Sequence, residues 1–207
     1  MGCSQALASY FLPEQIATYQ ALFPRVSFEV EVLEHGAAAA ALESYIIDLA
    51  IVFDQGKPPD YKILAGVPQT LSAVMDEAHP LARKDRLRLR QCFEYPVLLP
   101  ARGFGGRRLI DNALVGKTFA VPPVIESNSF EYLKAHVAAT EAITFQIEIG
   151  APDITGTKGI VNRPIDRRDV GSGNLWVGQG VERTLSVASS RFAEQVIKEL
   201  SERYGMR

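Results

Sequence analysis

Leu71-Ser72-Ala73-Val74-Met75-Asp76-Glu77-Ala78-His79-Pro80-Leu81-Ala82 divides the chain in two. Leu71, Ala73 and Met75 alternate with Ser72, Val74 and Asp76, the period-two pattern of a strand. Pro80 biases His79 towards an extended conformation and ends the ladder. The segment reads as a strand that leaves one lobe and delivers the chain into a second.

Upstream, Met1-Gly2 leaves little room for a first strand, as if the chain began partway along an element. Ser9 can cap a helix, with Pro13 tolerated near its first turn. Phe11, Leu12, Ile16, Tyr19, Leu22 and Phe23 then keep helical spacing up to Pro24. Val26, Phe28, Val30 and Val32 alternate with Ser27, Glu29 and Glu31, which predicts a strand. His35-Gly36 reads as a turn, Ala37 to Ser44 as a helix, and Ile46 to Phe53 as a buried parallel strand. Residues 55–60 read as a loop and Tyr61 to Val67 as a further strand. This alternation of helix and strand implies right-handed parallel crossovers, hence an α/β lobe.

Downstream, Arg83 to Arg90 holds four arginines, a lysine and an aspartate. With no interleaved aromatic residues it reads as a solvated turn rather than a nucleic-acid patch. Tyr95 to Pro100 is a short buried strand, and a glycine-rich loop, Ala101 to Gly106, leads into a helix through Leu114. Val121 to Glu126 reads as a strand, Ser127-Asn128-Ser129 as a cap, and Phe130 to Ala139 as the next helix. Ile143 to Ile147 and Ile160 to Ile165 read as strands around a loop-like stretch, residues 151–159. After the flexible Gly171-Ser172-Gly173, Leu175, Val177 and Gln179 fit a returning strand. Thr184 to Tyr204 is a helix with Leu185, Ala188, Phe192, Val196 and Leu200 on one stripe and Gly205 at its C-cap.

At 207 residues, 47% apolar and 22% charged, the chain can bury one or two ordinary cores. A net charge of −2 gives the surface as a whole no bias towards polyanions. No apolar run is long enough to cross a membrane, and the N-terminus lacks the basic and apolar regions of a signal peptide, so no membrane partner and a cytoplasmic location are expected. Cys3 and Cys92 lack metal-ligand spacing and read as free thiols. No Ser-His-Asp, Cys-His or metal constellation is visible, so neither catalysis nor a cofactor is expected.

Several stretches, in order, resemble the effector-binding domain of LysR-type transcriptional regulators. They are Phe11-Leu12-Pro13 with Phe23-Pro24-Arg25-Val26; Leu42 with Asp48-Leu49-Ala50-Ile51; and His79-Pro80-Leu81-Ala82. Tyr95-Pro96-Val97-Leu98-Leu99-Pro100, then His136-Val137-Ala138-Ala139 with Ile143-Thr144-Phe145, and Arg183-Thr184-Leu185-Ser186 with Phe192 complete the series. The resemblance implies two Rossmann-like lobes joined by two crossover strands, a type II periplasmic-binding-protein-like α/β fold. The expected division is residues 1–73 with 178–207 in lobe I and 74–177 in lobe II. It also implies a homodimer or higher homo-oligomer, associating through Gln15 to Phe23, Val26 to Val32 and Phe130 to Ala139. DNA would be read only through an N-terminal winged helix-turn-helix that this chain lacks. Thr140-Glu141-Ala142 stands where the family often has Gly-x-Gly, which makes effector identity less transferable.

In such a fold ligands sit at the carboxyl ends of strands, where helix starts present free N–H groups. Four loops qualify. Ser4, Gln5 and Ala6 precede the first helix and Gly36 and Ala37 the second. Pro100, Arg102, Gly103 and Phe104 follow one strand of lobe II, and Ser127, Asn128 and Ser129 follow another. They are the candidate contacts of a small, anionic effector in an interlobe cleft, with Phe104 and Phe145 as an apolar wall. Each has a blander reading: Ser127 and Ser129 as caps, Gly36 as a turn, Arg102 as a solvated side chain. The function expected is effector sensing and dimerisation; a free-standing solute receptor of the periplasmic type is the alternative.

Overall fold

The computed structural model describes residues 1–55, 60–138, 140–151 and 159–205. The expected loops therefore lie partly outside the described residues, at 56–59 and 152–158, as does Ala139. In chain order the first elements are β1 (Gly2–Cys3), α1 (Gln5–Tyr10), α2 (Leu12–Leu22), β2 (Glu31–Val32), α3 (His35–Glu43), β3 (Ala50–Asp54) and β4 (Lys62–Gln69). Next come β5 (Leu71–Asp76), α4 (Leu89–Cys92), β6 (Leu98–Pro100), α5 (Gly105–Leu114), β7 (Ile125–Ser127) and α6 (Phe130–Val137). The last are β8 (Thr144–Ile147), β9 (Ile160–Pro164), β10 (Gly173–Gln179) and α7 (Val187–Tyr204). Short 3₁₀ turns cover Pro80–Arg83 and Glu148–Gly150.

The chain forms two compact units, Met1–Gln69 with Gly173–Arg207, and Thr70–Ser172. The sequence placed these boundaries a few residues later along the chain, inside β5 and β10. Unit 1 is built on one sheet in the order β2-β1-β3-β10-β4. β1 runs parallel to β2 and β3, and β10 pairs antiparallel with β3 and β4. The helix α3 packs Ala38, Ala41 and Leu42 into a core with Ile47, Ala50, Val52 and Tyr61. Glycine at 178 is required by packing: an added Cβ would collide with the Tyr61 ring, where the β10–β4 register shifts.

Unit 2 has a three-stranded antiparallel ladder, β8-β5-β9, and a parallel pair, β6-β7. A bridge between Val97 and Ile143 joins the two, with Leu98 N–H donating to Ile143 O at 2.8 Å. The core gathers Val74, Leu98, Leu133, Val137, Ala142 and Ile160. Burial of such aliphatic side chains contributes about 1.5–3 kcal/mol each. Leu71 to Met75 are all buried, since β5 is the middle strand of three. Alternation in this strand therefore does not mark a wet face.

Several local expectations are corrected. One helix from Ser9 becomes two, α1 starting at Gln5, with a break at Phe11, whose φ is −119°. Pro13 has no N–H to give and sits in the first turn of α2, where none is needed. The alternating Val26–Val32 stretch pairs only at Glu31–Val32, because its partner β1 offers only Gly2 and Cys3. The helix expected from Thr184 starts at Val187, since Ser186 Oγ accepts from Ser189 N–H at 3.1 Å and fixes the cap. Gly205 caps it with φ −58°, not in the left-handed region.

Candidate functional site

In unit 1 the parallel strands β1, β2 and β3 point their carboxyl ends the same way. Ser4 follows β1 and is the N-cap of α1 by its backbone: Ser4 O accepts from Leu7 and Ala8 N–H at 3.0 and 3.2 Å. Its hydroxyl does not cap. Ser4 Oγ accepts from Phe53 N–H at 3.0 Å, tying the end of β1 to the end of β3. Among the described residues no acceptor takes the Ser4 hydroxyl proton, so that proton can be donated to a ligand.

Gln5 and Ala6 were expected before the helix but lie inside it. Ala6 is buried, so its side chain belongs to the core. Gly36 and Ala37 likewise lie inside the first turn of α3, both exposed, and a Cβ at Gly36 would meet nothing within 4 Å. The turn expected at His35-Gly36 is thus helical. First-turn N–H groups have no acceptor within their own helix. Beside them stand the N-cap Glu34 and the pair His35 Nε2–Asp54 Oδ2 at 3.5 Å. These carboxylates oppose an anion at this end of unit 1.

In unit 2 the parallel pair β6 and β7 ends at Pro100 and Ser127, and Ala101 N–H donates to Ser127 O at 2.8 Å. Pro100, Arg102, Gly103 and Phe104 therefore lie beside Ser127, Asn128 and Ser129. Gly103 has φ +105°, a conformation that favours glycine. Phe104 is the N-cap residue of α5 and meets Phe130 edge to face, centroids 5.4 Å apart. Ser127 Oγ accepts from Ser129 N–H at 3.1 Å, and Ser129 Oγ from Tyr132 N–H at 3.2 Å, so Ser129 does cap α6. Arg102 and Asn128 are exposed.

Three buried polar side chains, those of Arg107, Thr144 and Gln146, went unread in the sequence. Arg107 is buried and holds this corner together, donating to Pro100 O at 2.8 Å, Asp111 Oδ1 at 2.8 Å and Glu126 Oε1 at 3.0 Å. Burial works against its charge, and the two carboxylates overcome it. Thr144 and Gln146 share one face of β8 and are buried, with Thr144 Oγ1 and Gln146 Nε2 lacking a partner among the described residues. Their alternation with Phe145 and Ile147 was the available signal, but polar alternation in a strand ordinarily marks a solvent face. Phe145 itself is buried, with its ring stacked on Phe93.

Chemically, both units offer neutral donors. Cys3 and Cys92 are buried, and burial pushes both thiols up to about 12, far from a reactive thiolate. His79 Nδ1 accepts from Leu81 N–H at 3.1 Å, and burial lowers its pKa. Among the described residues no group of three or more His, Cys, Asp or Glu could hold a metal. Likewise no described helix is long and apolar enough to cross a membrane.

The model of the LysR substrate binding domain matches residues 1–201. A probable RuBisCO transcriptional regulator of Nostoc sp. is 22% identical over 97% of this chain and 61% of its own length. The HTH-type transcriptional regulator CysB of Burkholderia cenocepacia is 29% identical over 66% of this chain and 44% of its own. The chain thus spans about three fifths or less of the curated relatives it matches. Among solved structures, the effector binding domain of QuiR in complex with shikimate superposes with a TM-score of 0.77 at 18% identity, covering 98% of this chain and 96% of that one. The CcmR regulatory domain of Synechocystis in complex with 2-PG gives 0.78 at 17% identity, covering 96% and 95%. These likenesses carry the type II periplasmic-binding-protein-like fold. With the family model spanning nearly the whole sequence, the chain belongs to the LysR substrate-binding domain family.

Proposed function

We propose that this chain is the effector-sensing and dimerising part of a cytoplasmic LysR-type transcriptional regulator, binding a small, anionic metabolite without turning it over. One observation carries the reading. In each unit, parallel strands lead into helix starts that carry backbone N–H and hydroxyl groups, the arrangement that receives ligands in α/β folds. The small molecules carried by QuiR and CcmR support it, as do the regulators among the relatives. The proposed contacts are Ser4, Gly36 and Ala37 in unit 1, and Arg102, Gly103, Phe104, Ser127, Asn128 and Ser129 in unit 2. Gln5 and Pro100 contribute backbone, and Ala6 only support. DNA is read only through a separate domain of the parent protein.

For dimerisation, the exposed Leu22, Val30, Val32 and Tyr132 supply apolar surface, and β2 is a sheet edge. Tyr19 does not: it is 2% exposed and packs on Phe23, Phe28 and Phe192. Light scattering at micromolar concentration is expected to show particles of twice the 22.7 kDa chain mass; monomers alone count against the dimer.

Thermal-shift screening of small organic acids tests the ligand reading. A hit is expected to lose much of its stabilisation in Arg102→Gln and Ser4→Ala. A ligand indifferent to substitutions in all four loops places the site elsewhere.

A further inference from the structure

Two segments distant in sequence build one basic surface on unit 2. Leu87 bridges Ile165, with Leu87 N–H donating to Pro164 O at 3.0 Å and Asp166 N–H to Leu87 O at 2.8 Å. Residues 83–90 are thereby laid beside residues 163–169. Together these hold eight cations and three carboxylates in a chain whose net charge is −2. Leu87 and Leu89 are buried at 0% and 1%, which turns Arg86, Arg88 and Arg90 outward.

Two of the three carboxylates, Asp166 and Asp169, are committed to building the surface; the third, Asp85, is exposed. Asp169 takes Arg88 through two bonds of 2.7 Å and also accepts Leu89 N–H at 2.9 Å. Asp166 takes Arg168 through bonds of 3.0 and 2.7 Å. Arg83, Lys84, Arg86, Arg90 and Arg167 are all exposed and hold no ion pair among the described residues. With exposed Asp85 the one carboxylate of these segments outside a described ion pair, the five cations leave the surface net positive, and their mutual repulsion is a cost that an anionic partner removes.

We propose that this surface binds the phosphate backbone of duplex nucleic acid without reading its sequence. The occupant follows from what the patch lacks. A protein interface needs apolar or aromatic anchors, and the apolar residues here face inward. A single strand needs aromatic platforms for its bases, and Phe93 is buried while Tyr95 packs on His79. Duplex phosphate needs only cations, and arginine's planar fork suits it. The solvated turn read from the sequence becomes a weak, salt-sensitive second contact. In a parent already held on DNA by another domain it would act at high effective concentration. That relevance rests on the regulator reading above; the binding itself does not.

The test uses the 207-residue chain, a fluorescent duplex of arbitrary sequence, and anisotropy over a range of salt. Duplex binding is expected at low salt, with log K falling linearly against log salt. The triple variant Arg86→Gln, Arg90→Gln, Arg167→Gln is expected to flatten that slope by up to about 2.7, at about 0.9 per lost phosphate contact. A charge-matched control, Lys62→Gln, Lys117→Gln, Lys198→Gln, is expected to keep most of it, since these exposed lysines lie elsewhere. All substituted residues are exposed, so melting temperatures should stay unchanged. No binding at low salt, or equal loss in both triple variants, overturns the proposal. Displacement of the duplex by poly-glutamate at equal charge would assign the surface to acidic protein instead, and overturns it too. Ligand-induced thermal shifts in the patch variant should match wild type, which separates this result from the fate of the effector reading.

Discussion

Replacing Ser4 with alanine removes the oxygen that accepts Phe53 N–H at 3.0 Å. Phe53 is 4% exposed, so water does not readily take the vacated place. A buried donor left without a partner costs about 1–3 kcal/mol. In a chain of this length each kcal/mol moves Tm by about 2–4 °C, so a fall of roughly 2–12 °C is expected without any ligand. Trp176 is the chain's one tryptophan and lies on β10 of unit 1, so its fluorescence reports the unit that holds Ser4. Urea and heat melts followed at Trp176 should show the loss in Ser4→Ala and its recovery in Ser4→Thr, which keeps the hydroxyl. Ser129→Ala should cost about 1 kcal/mol for its cap, seen by circular dichroism and less by Trp176 if the units unfold separately. A Ser4→Ala transition that overlays wild type would refute the claim that this hydroxyl holds β1 to β3.

Three further outcomes follow from unit 2. Arg107→Met should cost about 1–3 kcal/mol by stranding Pro100 O, less than a fully buried pair because Asp111 and Glu126 are 46% and 40% exposed and can rehydrate; Arg107→Lys should recover little, since lysine lacks the fork. Lys134 is 3% exposed and burial lowers its pKa to about 8. The unfolded chain therefore binds the extra proton between about pH 8 and 10.4, so stability should rise across that window by up to about 3 kcal/mol. Lys134→Met should remove the rise, and parallel pH profiles of the two proteins would refute it. Arg88 holds the Asp169 carboxyl below its ordinary range, so its contribution is present above about pH 4 and lost as pH falls through the depressed value. Acid melts of Asp169→Asn should be less steep than those of wild type.

The fold class was legible because its determinants are local and repeated. The apolar run at 46–53 named a strand, though only Ala50–Asp54 forms it and Ile46 is 66% exposed; the alternation at 71–76, the stop at Pro80 and the stripe along α7 name the others. What was not legible depends on partners distant in sequence. The alternating residues 26–32 have every local mark of a strand, yet pairing is limited by the two residues of β1. The helix starts were misplaced because candidate caps are common and only one is used: Ser9 caps nothing, whereas the main chain of Ser4 caps α1.

The candidate site shows the same division. Its loops could be named from the rule that strands deliver ligands to helix starts, and those at 127–129 and 102–104 do flank one corner of unit 2. Arg107, which braces that corner, was invisible because a helical arginine near Asp111 ordinarily reads as an exposed i,i+4 pair.

Charge is unequally shared between the two sets of proposed contacts, and that bears on what they can recognise. Beside Gly36 and Ala37 stand Glu34 and the Asp54–His35 pair, so first-turn donors that would otherwise attract an anion work against nearby carboxylates. The loops of unit 2 carry Arg102 and keep the acids of their neighbourhood, Asp111 and Glu126, engaged by Arg107. An anionic group is therefore favoured at the 102–104 and 127–129 loops, and a neutral hydroxyl or carbonyl at Ser4 and Gly36. On this argument Arg107 matters for binding without touching the ligand: by holding Glu126 on β7 it keeps a carboxylate from opposing the anion that Arg102 and Ser127 would meet.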